Sequence, residues 1–428
     1  MFWRLASAGK VLCLLDGTYT GPDSMITPSG GLSGARGNPI TVRALNDGQV
    51  LIDGQFVRTP VRLDSNNWFM IEGINARSSS GNVLRLYNAH NNIVRRSIFW
   101  DAPIHTKVDT VVLDDSSNNL IEDVGVFGTG RKTLGPPFSD SYGNVYRRVW
   151  VRWEGNIIGG GGNKFSFSVY YNNSPESSNG NIFENVLATW SGESMPESYT
   201  DTDVNGNLTG SSRTNFALNG SPWIMARDHD FNNFCSNTRI FGSIAYVKSS
   251  TVSPPGGPAR LHGIGTHNAA DIARVPACVT YKDVLIIMDP SHPRFGSIPG
   301  FLFGSAGTNN SATFLSSVTG GSDTIPSSWN PSNNKHATSV SGLTSQGANP
   351  WTGTTGANLC KRYVNGVKTS TPLWPWPMNG RIKAATASAG RYTGPCPVCA
   401  GGRFARTATD VTAEIQELLG PLPSNCKQ

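Results

Sequence analysis

No apolar run in the 428 residues approaches the roughly 20 that a bilayer-spanning helix needs, so no segment reads as a transmembrane helix. Charge is also scarce. Asp, Glu, Lys and Arg make up only 15% of the chain and leave a net charge of +6, without the dense basic stripe of a nucleic-acid binder. Cysteine is sparse and odd in number: seven residues cannot build a disulfide scaffold, and at least one has no partner within the chain. P-loop and Gly-x-Ser-x-Gly patterns are missing. The start, MFWRLASAGKVLCLL, carries positive residues inside its apolar stretch and reads as a short capping helix entering a strand, not as a leader.

What the chain has in quantity is turn-formers, 48 Gly and 27 Pro, and a repeat. After Asn67, Asn92, Asn119, Asn144 and Asn181 stand WFMIEGI, IVRRSIF, LIEDVGV, VYRRVWV and IFENVLA, with the asparagines 25, 27, 25 and 37 residues apart. A period in the twenties marks a solenoid, and short β-branched or aromatic phrases bounded by Gly, Ser, Asn and Asp mark its repeat as strands. The leading asparagine fits a turn that tolerates a left-handed backbone and bonds its own side chain locally.

If the coils stack in register, Arg95-Arg96, Glu122-Asp123, Arg147-Arg148 and Glu184-Asn185 form an alternating column of charge on one face. These arginines therefore read as structural. Val124, Val149 and Val186 share one position and are expected to stack inside.

The opening coils carry a more specific signal. LCLLDGTYTG (12–21), the strand entry Gly-Asn-Pro-Ile-Thr-Val and the closing Ile-Asp-Gly resemble the first coils of right-handed parallel β-helix proteins, in the broad superfamily that includes pectate lyases, chondroitinase B and alginate lyases. The resemblance spans approximately residues 11–290. It implies an all-β right-handed parallel β-helix, extracellular, acting on a polysaccharide. The pectate-lyase Arg-x-Pro-x-x-Arg element is missing. Asp114-Asp115, His262-Gly263 and Arg381-Ile382-Lys383 echo polygalacturonase elements but lie too many coils apart to share a site.

A single long body is expected: a β-helix over 1–320 with a polar insertion at about 191–223, then an irregular region over 321–428 packing on the solenoid. The insertion is too long for an ordinary turn, which suits a functional loop or a subunit contact of a homo-oligomer. Within the tail, Asp410 before Val411-Thr412-Ala413-Glu414, with Gly420 beyond, predicts a short capped helix.

Loops at equivalent coil positions line one side of a β-helix and form a groove suited to a polymer. His105, Lys107, Arg131, Lys132 and Lys164 recur there, with Tyr170 and Tyr171 nearby. Cleavage of a uronate polymer by β-elimination needs a cation on the carboxylate, a base for the proton at C5 and an acid for the leaving oxygen. On that chemistry Lys107, Lys132, Arg131, His105 and Tyr170 are the catalytic candidates, and Lys164 and Tyr171 the substrate-binding ones. Trp374 and Trp376 are further candidates, as a flat platform for a sugar ring; the competing reading anchors the tail with them. A glycoside hydrolase is the second enzymatic choice, with Glu193 and Glu197 of the insertion as carboxylates. From a different class, a non-catalytic adhesin or structural β-helix fits the same repeat.

No cofactor is required by this chemistry. Calcium is a candidate ion through Asp114 and Asp115, although it takes about six to eight oxygen ligands, and a solvated turn is the preferred reading of the pair. Cys396-Pro-Val-Cys399 lacks the second pair of a structural zinc site, and a late disulfide to Cys360 or Cys426 is its expected use. Cys13, in an apolar strand, reads as a buried free thiol.

Overall fold

The computed structural model describes residues 2–138, 141–155, 165–168, 180–190, 198–202, 208–214, 221–225, 237–247, 264–265, 278–291, 295–297, 299–303, 309–390, 392–395 and 406–428. They form a right-handed parallel β-helix. Each regular coil supplies three strand segments, as the coil beginning at Ile93 illustrates. Residues 93–95 form the first, Arg96 turns a corner with φ 53°, residues 97–100 form the second, and Val111–Asp114 forms the third.

The first and second segments of successive coils pair in parallel through one large sheet, which reaches from Val11–Leu14 to Ser311–Val318. It continues past residue 320, where Lys335–Ala337 pairs with Ser311–Val318. Third segments stack in a second sheet that includes Val61–Asp64, Leu84–Tyr87, Val111–Asp114 and Lys132–Phe138. Within the insertion, Ser198–Thr202 and Leu208–Thr214 make an antiparallel hairpin.

Two stacked columns set the coil geometry. Gly73, Arg96, Asp123, Arg148, Asn185, Gly242, Asp283 and Phe314 all turn the corner between first and second segments with φ between 51° and 75°. A left-handed backbone costs non-glycine residues roughly 1–2 kcal/mol, and stacked neighbours in the same bend hold it in place.

The second column is the asparagine ladder. Asn119 Oδ1 accepts from Asn92 N at 2.8 Å, Asn144 Oδ1 from Asn119 N at 2.9 Å, and Asn181 Oδ1 from Asn144 N at 3.0 Å, with all four asparagines buried. The expected stacking of Asn92, Asn119 and Asn144 is therefore present, but two details differ. The left-handed residue is the preceding one, Asn91, Asn118 or Gly143, and the side chains bond up and down the stack instead of locally. Asn67 is out of step, because Met70 pairs with Ile93 and so places Phe69, not Asn67, at the ladder position.

Inward side chains form the main core, among them Val94, Val124, Val149, Val186, Tyr146 and Phe183, with the last two stacked at 4.7 Å between ring centres. The helix Phe2–Leu5 closes the first end, where Trp3 lies 6.4 Å from Phe69. Cys13 in the first strand is exposed, contrary to expectation, because its side chain points outward while those of Leu12 and Leu14 pack against the core.

A second core lies outside the coils. Ile98, Trp100, Phe127, Trp150, Leu187 and Tyr246 project from the outer face of second segments and are covered by the C-terminal region, through residues such as Trp351, Trp374, Ile382, Val411 and Ile415. The predicted helix is Val411–Leu419: Asp410 caps it by accepting from Ala413 N at 3.0 Å, and Gly420 follows with φ 83°. Cys360 pairs with Cys426, with the α-carbons 4.5 Å apart, and not with the CxxC; Cys396 and Cys399 lie outside the described residues.

Candidate functional site

The loop 101–110 runs beside residues 128–135 of the next coil, which comprise the end of the strand Leu120–Thr129, a turn at Gly130 and Arg131, and the start of the strand Lys132–Phe138. Ala102 N donates to Thr129 O at 3.0 Å, Arg131 N to Val108 O at 2.8 Å, and Thr110 N to Lys132 O at 2.9 Å. This pairing brings Arg131 and Lys132 to Asp109. The Arg131 guanidinium grips the carboxylate with two bonds, Nε to Oδ1 at 3.0 Å and Nη2 to Oδ2 at 3.1 Å, while Lys132 Nζ stands 3.9 Å from Oδ2. Gly135 has to be glycine here, since a β-carbon on it would collide with the Asp109 carboxylate.

The Lys132 side chain is fully enclosed and that of Arg131 is one-fifth exposed. Burial pulls the Lys132 ammonium down to about 7; Arg131 pushes the same way and Asp109 opposes. Lys107 on the first loop is exposed, and His105 is half-buried, its Nδ1 enclosed without a hydrogen-bond partner among the described residues.

A second charged group lies beneath the tail on the outer face of the second segments, where Arg152 and Glu154 share the strand parity of Trp150. Arg406 from the tail donates through Nη1 to Asp101 Oδ2 at 3.0 Å and through Nε to Glu154 Oε2 at 2.5 Å. Arg152 holds the other oxygen of Glu154, Nε to Oε1 at 2.9 Å, and donates through Nη1 to Thr407 O at 3.0 Å. All four side chains are almost wholly buried. Burial raises the Asp101 carboxyl despite Arg406, whereas for Glu154 the two guanidiniums outweigh burial and hold it below the usual range. The group fastens the tail onto the coils.

The structure thus unites Arg131 and Lys132, sets His105 and Lys107 on the adjoining loop, and adds Asp109, which sequence reasoning missed. Lys132 does not line an open groove as expected. It shares its strand parity with Leu134, whose side chain is in the main core, so it points inward. Trp374 and Trp376 offer no sugar platform, being 0% and 2% exposed, with Trp374 Nε1 donating to Leu359 O at 2.9 Å. They anchor the tail because the outer face of the second segments is apolar and needs covering. Lys164, Tyr170, Tyr171, Glu193, Glu197 and His262 lie outside the described residues.

Arg381 serves packing, with Nη1 2.8 Å from Asp47 Oδ1 and Nη2 2.9 Å from Asn75 Oδ1. Among the described residues no group of three or more His, Cys, Asp or Glu is placed to hold a metal ion, and Asp114 and Asp115 bring no third ligand of that kind.

One other cluster contains a hydroxyl, an imidazole and a carboxylate. Ser317 Oγ lies 2.5 Å from Asp323 Oδ2 and 2.9 Å from His336 Nδ1, while Gly300 N and Phe301 N donate to Asp323 Oδ1 at 2.9 and 3.0 Å. The buried hydroxyl is bonded directly to the acid. The imidazole is therefore not interposed between them as nucleophile activation requires.

No protein-family model and no curated protein matches the chain. Among solved structures, it is similar to pectate lyase Pel9A, with 15% identity and a TM-score of 0.43 over 86% of this chain and 85% of that one. An alginate lyase from Paenibacillus sp. str. FPU-7 gives 12% identity and a TM-score of 0.38 over 72% and 94% of the two chains. A rhamnogalacturonan lyase gives 13% and 0.37 over 78% and 81%. At these levels the likeness carries no residue role and no activity to this chain.

Proposed function

We propose that the protein is an extracellular polysaccharide lyase that binds an acidic glycan along the loop side of its coils and cleaves it by β-elimination at the Asp109–Arg131–Lys132 cluster. The observation that supports this reading is the convergence of two adjacent coil corners on a partly exposed arginine, with the exposed Lys107 and the half-buried His105 on the adjoining loop. Arg131 and the exposed Lys107 neutralise the uronate carboxylate, which acidifies the proton at C5. A base takes that proton, the C4–O bond breaks as a C4–C5 double bond forms, and the leaving oxygen is protonated. The group on these loops with the chemistry of the base is the His105 imidazole, with a ring nitrogen that has no partner among the described residues; the enclosed Lys132 amine points inward and supports the site from beneath. Tyr170 is the proposed acid for the leaving oxygen.

The test is a panel of polygalacturonate, alginate and chondroitin followed by ultraviolet absorbance of the unsaturated uronate, with H105A and K132M assayed across pH. Cleavage of one substrate is expected, with turnover lost in H105A and retained in K132M. A panel with no unsaturated product overturns the elimination.

A second reading has its own observation. Lys132 is enclosed and Arg131 is engaged by Asp109, which is how a loop clamp is built, so a non-catalytic glycan-binding or structural β-helix accounts for the same contacts. Glycan binding or self-assembly without product is the outcome that selects it.

A further inference from the structure

The third segments present an outward face at the start of the helix. In the paired strands Val61–Asp64, Leu84–Tyr87 and Val111–Asp114, Arg62 lies against Arg85, and Tyr87 lies between Asp64 and Asp114. Like charges directly opposite one another in a sheet are unfavourable. The first segments avoid this at every step: Arg43, Glu72, Arg95, Glu122, Arg147 and Glu184 occupy one register column and alternate in sign.

Against that pattern, the Arg62–Arg85 pair stands out. The Arg62 side chain is 47% exposed and pairs with Asp64 on its own strand. The Arg85 guanidinium meets no carboxylate among the described residues and lies 4.7 Å from the ring centre of Tyr87, itself 41% exposed.

Beside this face opens a cleft of about 530 Å³, lined in part by Thr27, Arg58, Thr59, Arg62, Asp64 and Ser80. Its volume is within the range of small-ligand sites. Arg58 precedes Val61 by three residues, as Arg131 precedes Leu134, and Val61, Leu84, Val111 and Leu134 are successive register partners. The two arginines therefore mark the same corner three coils apart, about 14 Å at roughly 4.8 Å per coil. A polymer lying along that corner reaches both.

We infer that this cleft is a remote subsite for a carboxylate-bearing sugar residue of an acidic glycan, an assignment that rests on the proposed glycan-binding reading. Guanidinium groups match a carboxylate with paired N–H donors. The Thr27, Thr59 and Ser80 hydroxyls and the Asp64 carboxylate suit sugar hydroxyls, and the exposed Tyr87 ring supplies a flat face for a pyranose.

The test is equilibrium binding of galacturonate and guluronate oligomers to the full chain and to its R58A and R62A/R85A variants, with maltohexaose as the neutral control and heparin as the sulfated one. Charged oligomers long enough to span three coils are expected to bind about tenfold or more weakly to R62A/R85A, the cost of losing charged hydrogen bonds. The thermal midpoint should stay near that of the parent, since Arg62 is exposed and the half-buried Arg85 gives up no ion pair among the described residues while the like-charge contact is relieved. Unchanged oligomer affinity in both variants, equal binding of maltohexaose, or no binding by the parent overturns the subsite. Arginine-dependent binding of heparin alone overturns the carboxylate assignment. Arginine-dependent binding by a protein that cleaves nothing removes the elimination reading and leaves the subsite standing. Cleavage with arginine-independent binding removes the subsite alone.

Discussion

Arg147 Nε lies 2.8 Å from Glu184 Oε2, although 37 residues separate them along the chain. The same guanidinium reaches Glu122 of the preceding coil through Nη1 at 3.2 Å and Asn365 of the C-terminal hairpin through Nη2 at 2.8 Å. One side chain therefore ties three layers together. At Arg147 and Glu184 the column is not a solvated stripe, because the hairpin formed by Lys361–Val364 and Val367–Pro372 reaches it there, Gly366 N donating to Glu184 Oε1; earlier in the column the Arg95 side chain is 37% exposed.

Arg147→Glu is expected to destabilise the fold by about 3–5 kcal/mol, since it breaks a buried pair and adds a like charge beside Glu184, which has no exposed surface. That exceeds the roughly 1 kcal/mol or less expected of an exposed pair. Urea unfolding of parent and variant measures it, and a change below about 1 kcal/mol would show the column to be solvated in solution.

The asparagine ladder makes a separate prediction. Asn119 accepts from Asn92 N at 2.8 Å and donates to Ala89 O at 2.9 Å, so Asn119→Ala leaves a buried N–H and a buried carbonyl without that partner. A loss of about 1–3 kcal/mol per unsatisfied group is expected. Asn67→Ala, one coil earlier and out of the column, should cost less; equal losses in the two variants would remove the ladder as the cause.

The repeat was legible because the ladder demands one residue type: only a short side-chain amide both donates and accepts between stacked backbones, so Asn92, Asn119, Asn144 and Asn181 recur in identity. The left-handed corner demands only a backbone bend, and Gly73, Arg96, Asp123, Arg148 and Asn185 meet it with different chemistry. The alternating charges were likewise legible, because stacking rewards complementarity between identical positions of adjacent coils.

The second core left a signal that went unused. Residues 97–100, SIFW, and 149–153, VWVRW, are apolar on both parities, as expected of strands covered on both faces. Read that way, Trp374 and Trp376 become the cover. The candidate site was half legible: loop cations could be counted, but Asp109, which converts Arg131 and Lys132 from loose charges into a cluster, gives no sign in sequence of facing them.

Arg406 is the predicted latch of the tail. Replacing it with methionine strands Asp101 and leaves Glu154 with Arg152 alone in a buried site, at a cost of about 3–5 kcal/mol. The loss should shrink on acidification, because without Arg406 both carboxyls gain protons more readily than in the parent and a neutral acid is cheaper to bury. Denaturant midpoints of parent and R406M at neutral and mildly acidic pH check this, and a difference independent of pH would mean that lost packing dominates.

Lys132 gives the sharpest dependence on pH. Its folded-state value is depressed to about 7 by burial, while an unfolded lysine titrates near 10.4. Between those limits the unfolded chain binds more protons than the folded one, so stability rises with pH from about 7 to about 10.4, by up to roughly 1.4 kcal/mol per unit. Below about 7 both states carry the proton and the term stays at its most unfavourable value. Lys132→Met removes the titration and keeps most of the volume. The variant should gain on the parent at neutral pH, lose that gain progressively toward pH about 10, and show a flatter stability profile throughout. Parallel profiles for parent and variant across that interval would mean that Lys132 keeps an ordinary ammonium in the folded protein.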